Sequence, residues 1–473
     1  MKVLFLPLDS RQITYEEPFL IGKYSDFDVI RPELKIMDFY KQASNYEDIK
    51  KWLLENISDC DYAIISVEQL VYGSLLASRS MDIDLDKALE RLNVIKELKK
   101  IQPDIKIILS NVLMRSTIST LNKDDEVWWK KIAEYSSLLS SDYDKAKKLE
   151  NEIPEDILNT FLFSRKRNHE INLSCIELLK EQYCDELIIV QEDSSMQGIH
   201  KLEQEQLLNK IEEYNLKDKF YLMNGTDELA SCLMGRLNNE SGFNCYVDWY
   251  YDNYEKLICL FEDRPFKENL DKYFALCNIS ESSIDDSDYV LSIYYPYDLN
   301  PGDYCSDYIA KNCDEELEKY VNHLKSLLLK GKKICLLDIY NSNGGSPDLI
   351  KKLHEQEILD KLYVYSAWNT ASNSLGTLIG EMLMKKKNDD LFYRHILDDM
   401  FYQAMVRKEI DNYLDSENID NWNIENVDEI SKMINDLMHE KVKEFKLNIP
   451  KGYDVSLWWP RTFECLIKYE GDD

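Results

Sequence analysis

Glu192 and Asp193 are adjacent carboxylates at the end of the apolar run Leu187–Val190, one residue after Gln191. Acids crowded at a strand end push each other's proton affinities apart. One can then hold a proton while the other is charged, which is what general acid–base catalysis requires. The arrangement recurs along the chain. Val3–Leu8 ends in Asp9-Ser10-Arg11, and Ala63-Ile64-Ile65 ends in Ser66-Val67-Glu68-Gln69. Ile334–Leu337 ends in Asp338, with Asn341 and Asn343 just after, and Tyr363-Val364-Tyr365 leads to Trp368-Asn369. Parallel strands collect their carboxyl ends on one side of a sheet, where such folds place their sites. These acids, amides and the indole therefore read as the lining of one polar pocket.

Each group also has a structural reading. Thr226 in Asn224-Gly225-Thr226-Asp227-Glu228 suits a helix N-cap, and Asp227 and Glu228 suit a first turn. The Asp9–Arg11 pair either orients a substrate or ties two loops together. Ser346-Pro347 is a helix start, which leaves Asp338, Asn341 and Asn343 for hydroxyl-rich ligands, since they offer donors and acceptors together. Trp368 can stack on a sugar face while Asn369 binds hydroxyls. Tyr72–Arg79 lacks any phosphate-loop pattern and reads more simply as a tight turn into a helix, but Tyr72 and Arg79, like Asp227 and Glu228, are kept among the candidate substrate-binding residues. Arg115, Arg165 and Arg167-Asn168 are candidates to reach an anionic group. The six histidines show no metal-ligand spacing. No cofactor or metal is expected, although a carboxylate-bound Mg²⁺ is compatible with the Asp and Asn clusters.

Strand-like runs near 2–8, 61–67, 105–110, 187–192, 219–223, 289–295, 333–338 and 362–366 must position these residues, with weaker runs near 27–31 and 244–250. Helical patterns fall between most of them, at 46–57, 85–100, 200–214, 226–238, 314–330, 347–358 and 371–386. Alternation with long crossovers predicts an α/β fold with parallel strands. Eight strong runs favour a (β/α)8-type barrel, with an open doubly wound parallel sheet as the alternative. Residues 1–387 are expected to form this domain, with a helical insertion over 116–183 placed to act as a lid. Residues 388–473 are expected to be a helical C-terminal region packing on it. No internal repeat is visible in the sequence.

The chain has 473 residues, 44 % hydrophobic and 11 % aromatic, enough for a large core. Its net charge of −31 opposes nucleic acid and anionic membranes as partners and leaves a small-molecule substrate. The 11 cysteines are scattered without a Cys-x-x-Cys pair, which suits a reducing cytoplasm and gives structural zinc no support. Neither a signal peptide nor an apolar membrane span is expected.

Taken in order, Pro7 to Arg11, Tyr72 to Arg79, Arg165 to Asn168, Gln191 to Asp193, Gly225 to Glu228, Asn341 to Gly344, Trp368 to Asn373 and Trp459 to Glu464 form a pattern. That pattern resembles a bacterial family, domain-of-unknown-function family 4127, over nearly the whole chain. In the family pattern the acid pair is usually two aspartates, and Glu192 is longer by a methylene. The resemblance adds Asn373 and Arg461 to the candidate substrate-binding residues and implies no particular reaction. A weaker similarity is to barrel glycosidases acting on N-acetylhexosaminides. In those, one carboxylate orients the attacking acetamido group and its neighbour protonates the leaving oxygen. The expectation is a hydrolase of a glycoside or related polyhydroxylated small molecule, with Glu192 and Asp193 catalytic. The alternatives are a Mg²⁺-dependent enzyme on a phosphorylated or carboxylated metabolite, and a non-catalytic polar-ligand binder.

Overall fold

The strong apolar runs become strands buried along nearly their whole length, as parallel sheets covered by helices require. The computed structural model describes residues 1–471. In the first half of the chain lie β1 (Lys2–Leu6), β2 (Asp28–Ile30), β3 (Tyr62–Ser66), β4 (Lys106–Leu113), β5 (Glu186–Gln191) and β6 (Phe220–Asn224). They form one parallel sheet in the order β2-β1-β3-β4-β5-β6. Then follow β7 (Phe243–Trp249), β8 (Ile279–Glu281), β9 (Tyr289–Tyr294), β10 (Gly302–Asp303), β11 (Lys333–Asp338), β12 (Asn341–Ser342) and β13 (Val364–Ser366). Of these, β7, β8, β9, β11 and β13 make a second parallel sheet in the order β13-β11-β9-β7-β8. Short β10 and β12 pair with each other. The chain ends in an antiparallel ribbon of β14 (Tyr453–Leu457) and β15 (Cys465–Tyr469).

The fold is therefore α/β, with pairings consistent with doubly wound parallel sheets. Among the described residues, no strand pair closes either sheet into a ring. Every strand expected from the sequence is present. The weak run at 27–31 becomes the edge strand β2, and the one at 244–250 becomes the interior strand β7.

The chain divides into two compact units. The first comprises Met1–Ala230 with Phe261–Arg264, and the second Ser231–Leu260 with the residues from Pro265 onward. Both wind their sheets in one pattern: the second strand is added on one side of the first, and the later strands on the other. In such sheets the crevice at the point of reversal is the favoured ligand position. In the first unit it lies at the carboxyl ends of β1 and β3, and in the second at those of β7 and β9.

The first core gathers Leu4, Leu6, Ile65, Leu109, Leu187 and Ile189 against helices such as Tyr46–Asn56. That helix is capped by Asn45, whose side chain accepts from the N–H groups of Glu47 and Asp48. The expected insertion appears as helices Asp125–Ser141, Tyr143–Leu149 and Glu155–Lys180 between β4 and β5. It has a small core of its own around Ile132, Tyr135 and Phe161. The expected C-terminal region contains helices Asp389–His395, Arg407–Ser416 and Val427–Glu444, with a π-helical stretch at Ile396–Val406. It also carries the β14–β15 ribbon, where helix was expected; buried residues alternate with less buried ones along both strands, as one covered face of a sheet requires. The final two residues of that region lie outside the described residues. No helix among the described residues is long and apolar enough to cross a membrane.

Candidate functional site

In the first unit the segments leaving the strands bring acids and arginines into one network. Arg11, just beyond β1, reaches both Asp9 and Asp227. Its guanidinium donates to Asp9 at 2.8–3.1 Å and to Asp227 at 2.5 and 3.1 Å. Thr14 adds a hydroxyl donor to Asp9 at 2.6 Å. Burial pushes the proton affinity of Asp9 up, but Arg11 and these donors outweigh it, and the net shift is downward. Asp227 goes the other way: burial raises it, Arg11 opposes, and the charge of Asp9 adds to the rise.

The acid pair after β5 is held by arginines from two other strand ends. Arg79 donates to Glu192, and Arg115 to Asp193. Arg115 also lies 3.8 Å from Glu192 through its other terminal nitrogen, and its backbone N–H approaches that carboxylate at 3.4 Å. One guanidinium thus spans both acids, so Glu192 and Asp193 are aimed toward the same place. The Asp193 side chain is 26 % exposed while that of Glu192 is 8 %, which makes Asp193 the accessible member.

Two further acids complete the network, Glu68, already marked by its place after an apolar run, and Asp38, which the sequence does not single out. Glu68, at the end of β3, accepts from the N–H of Val112 at 2.7 Å and from the Ser66 hydroxyl at 3.3 Å. Burial pushes its carboxyl up to about 7; these hydrogen bonds oppose the rise, and the charge of Glu192 adds to it. Asp38 comes from the loop after β2 and is 2 % exposed. The backbone N–H groups of Ser10 and of Asp38 itself act on it. These two N–H groups oppose the rise in its proton affinity, while neither carboxyl oxygen has a partner that meets hydrogen-bonding geometry. Burial, reinforced by the charge of Asp9, holds its proton affinity well above the usual carboxylate range. Asp9 and Asp38 are thus neighbouring acids driven in opposite directions, the split that marks acid–base sites. Further unpartnered buried atoms gather at the same strand ends: Gln69 Oε1, Arg79 Nε, Arg115 Nε, Thr117 Oγ1 and Ser194 Oγ. Buried polar atoms are normally hydrogen-bonded, so this concentration is what a polar ligand would satisfy.

Other candidates in this unit serve as braces. Arg167, on the long insertion helix, donates to the carbonyls of Ser78, Ser80 and Ile83. Asn168 donates to the Ser78 carbonyl at 2.8 Å. Together they hold the loop that presents Arg79. Tyr72 is buried beneath the Arg167 guanidinium, 4.4 Å from ring centre to cation. Arg165 spans the Arg115 carbonyl and Glu203. Glu228 caps its own turn by accepting from the Thr226 N–H at 2.8 Å.

The remaining candidates lie in the second unit, where most of their polar groups are engaged internally. Asp338, at the end of β11, accepts from the Ser346 N–H and hydroxyl, the Tyr340 N–H and the Tyr365 hydroxyl. Burial still raises it to about 6 against those donors. The Asn341 amide bonds the backbone of Ala310, and Asn343 donates to Asp303. Asn343 and Asn369 both have positive φ, 58° and 62°, and the Asn343 N–H donates to the Asn369 carbonyl. Asparagine tolerates that left-handed conformation better than most residues, which accounts for both positions as turn formers. Asn373 bonds Thr370, the cap of helix Ala371–Met382. Trp368 is buried against the edge of Phe463, and Arg461 pairs with Glu464.

Sequence reasoning also missed a buried cluster in this unit. His395 lies between Glu381 at 2.7 Å and Asp399 at 3.1 Å. Burial disfavours its charge, but the two carboxylates outweigh this and hold its proton affinity well above the ordinary value. Asp399 also accepts from the Ala367 N–H, and its own carbonyl from the Gly345 N–H. The π-helical stretch is thereby pinned to the loops after β11 and β13. A cavity of about 320 Å³ elsewhere in the unit, lined by His354, Asp360, Lys387, Asp389 and Tyr393 among others, involves none of the motif residues.

None of the curated proteins matches the chain. The family described as "Protein of unknown function (DUF4127)" matches residues 3–468, and the chain belongs to that family.

Proposed function

We propose that the strand ends of the first unit form the catalytic site of a hydrolase acting on a small, hydroxyl-rich, glycoside-like molecule. The observation that carries this reading is the unpartnered, buried carboxyl of Asp38 beside the ion-paired carboxylate of Asp9. Burial favours the protonated form of Asp38, and its carboxyl oxygens have no hydrogen-bond partner in the fold. It protonates the leaving oxygen as the carbon–oxygen bond breaks. Water supplies hydroxide to the carbon, and Asp193, the accessible member of the pair, takes the remaining proton. Glu192, clasped by Arg79, positions Arg115, while Arg11 holds Asp9 and Asp227 in place and favours the charged form of each. The net charge of −31 supports a small molecule over a nucleic acid. The reading needs only parallel strands sharing one edge; a closed (β/α)8 barrel would serve it equally.

A second reading has one observation in its favour. Arg11, Arg79 and Arg115 present three guanidinium groups around adjacent carboxylates, which suits a phosphorylated or carboxylated metabolite handled with Mg²⁺. A panel of chromogenic glycosides, N-acetylhexosaminides included, assayed with and without EDTA, separates the readings. Chelator-insensitive hydrolysis that is lost in Asp38→Asn and Asp193→Asn supports the first. Activity only on anionic substrates, abolished by EDTA, supports the second. Binding without turnover makes the chain a polar-ligand binder.

A further inference from the structure

Independently of that reading, we propose that Cys232 and Cys277 form an oxidation-sensitive dithiol that closes to an intrachain disulfide when the folded chain meets a small peroxide. Their sulfur atoms lie 3.1 Å apart and both residues are 0 % exposed. Cys232 sits in helix Leu229–Arg236, and Cys277 caps the C-terminus of helix Phe266–Leu276. The two are 45 residues apart in sequence. A shift of about 1 Å brings sulfurs at this separation to bonding distance.

The surroundings keep the thiols together. The Asn239 amide donates to the Cys277 carbonyl at 2.7 Å and to that of Asn278 at 3.1 Å, which ties the segment after the first helix to the end of the second. A Cβ on Gly235 would meet the Gly380 carbonyl oxygen at 2.4 Å, and one on Gly380 would meet that of Ser231 at 2.4 Å. Helix Leu229–Arg236 therefore packs backbone to backbone on helix Ala371–Met382. Asn269 fixes the other cysteine-bearing helix to the same neighbour through the Ser372 hydroxyl. The two helices that bring the cysteines together thus pack on one shared helix.

The chemistry is a two-electron oxidation. One thiol loses its proton, and the thiolate sulfur attacks a peroxide oxygen. The O–O bond breaks, hydroxide leaves, and a sulfenic acid forms. The second thiolate attacks that sulfur, the S–S bond forms, and a second hydroxide leaves. The two thiol protons convert the two hydroxides to water, so one hydrogen peroxide is reduced as two thiols are oxidised. Burial favours a small oxidant over bulky disulfides.

The test exposes the folded, full-length protein to graded hydrogen peroxide, alkylates the remaining thiols after denaturation, and maps the unreduced peptides by mass spectrometry. The exposed Cys313 reports the effective dose. The expected result is a Cys232–Cys277 linked peptide pair two hydrogens lighter, a raised Tm, and full reversal by dithiothreitol. The link disappears in Cys232→Ala and equally in Cys277→Ser, so the mapping survives if one variant folds poorly. Full alkylation of Cys232 and Cys277 at a dose that has oxidised Cys313 overturns the proposal, as does a link from either residue to another cysteine.

Discussion

In the first unit the chain leaves its strands through Asp9, Arg11, Glu68, Arg115 and Glu192-Asp193; in the second it leaves through Trp249-Tyr250-Tyr251, Tyr294-Tyr295, Asp338 and Trp368. The strand order is shared: β2-β1-β3-β4-β5 in one sheet corresponds to β8-β7-β9-β11-β13 in the other. What differs is how the ends are satisfied. In the second unit rings stack on one another, as Trp249 does on Tyr254 and Tyr294 does on Tyr320 and Tyr340. Its strand-end aspartate Asp338 is surrounded by protein donors. In the first unit charges face charges, and Asp38 is left with an unpartnered carboxyl. A shared topology therefore supports one edge where rings and protein donors meet most of the polar groups, with Ser366 Oγ and Trp249 Nε1 left without partners, and one edge where buried charges crowd together. We assign the proposed chemistry to the second kind.

The largest expected effect follows from that contrast. Asp38→Asn keeps the shape of the carboxyl and removes its titratable proton. Turnover should fall by roughly 10²–10⁴-fold, the usual contribution of a general acid, with unchanged circular dichroism. The same substitution at Asp338 should leave the chemical step alone. It should instead lower stability by about 1–3 kcal/mol in urea unfolding, because donors aimed at a carboxylate would then face an amide N–H₂.

Arg11→Ala probes the other side of the comparison. It leaves Asp9 and Asp227 buried without their shared cation, and loss of one partner from such a group costs about 3–5 kcal/mol. A denaturation midpoint close to that of the wild type would mean the network is looser than its distances imply.

The smallest effect is in pH dependence. In the fold Glu68 is raised from 4.5 to about 7, so its protonated form is the favoured one. Its contribution is fully present below pH 4.5 and is lost as pH rises toward about 7, since the folded state there holds a proton that the unfolded state has released. Glu68→Gln should flatten that part of the stability curve. Asp338→Asn should flatten the interval from 3.8 to about 6 instead. Two distinct windows from two units would show that the two edges titrate separately.

Much of the fold was legible in the sequence because buried parallel strands announce themselves as short aliphatic runs, and the residues that end them are polar. Asp9, Arg11, Glu192 and Asp193 were found that way. The partition into two sheets was hidden, because an aliphatic run such as Ile334–Leu337 carries no mark of which strand it will pair with. Asp38 was hidden for another reason. It stands in the loop segment Met37-Asp38-Phe39, away from any strand-like run, and only the fold carries it to Asp9. Asn341, Asn343 and Asn369 were read as hydroxyl binders by residue type. Two of them have positive φ and two have amides spent on nearby protein atoms, requirements that residue type alone does not reveal. His395 escaped notice because a histidine in a helical stretch shows nothing of the carboxylates that will flank it.

The most direct test compares hydrolysis across a chromogenic glycoside panel by the wild type, Asp38→Asn, Asp193→Asn and Asp338→Asn at matched folded concentration. The account expects the first two variants to lose turnover while Asp338→Asn retains it per folded molecule. Turnover that survives in both Asp38→Asn and Asp193→Asn but vanishes in a folded Asp338→Asn would contradict it and move the chemistry to the second unit.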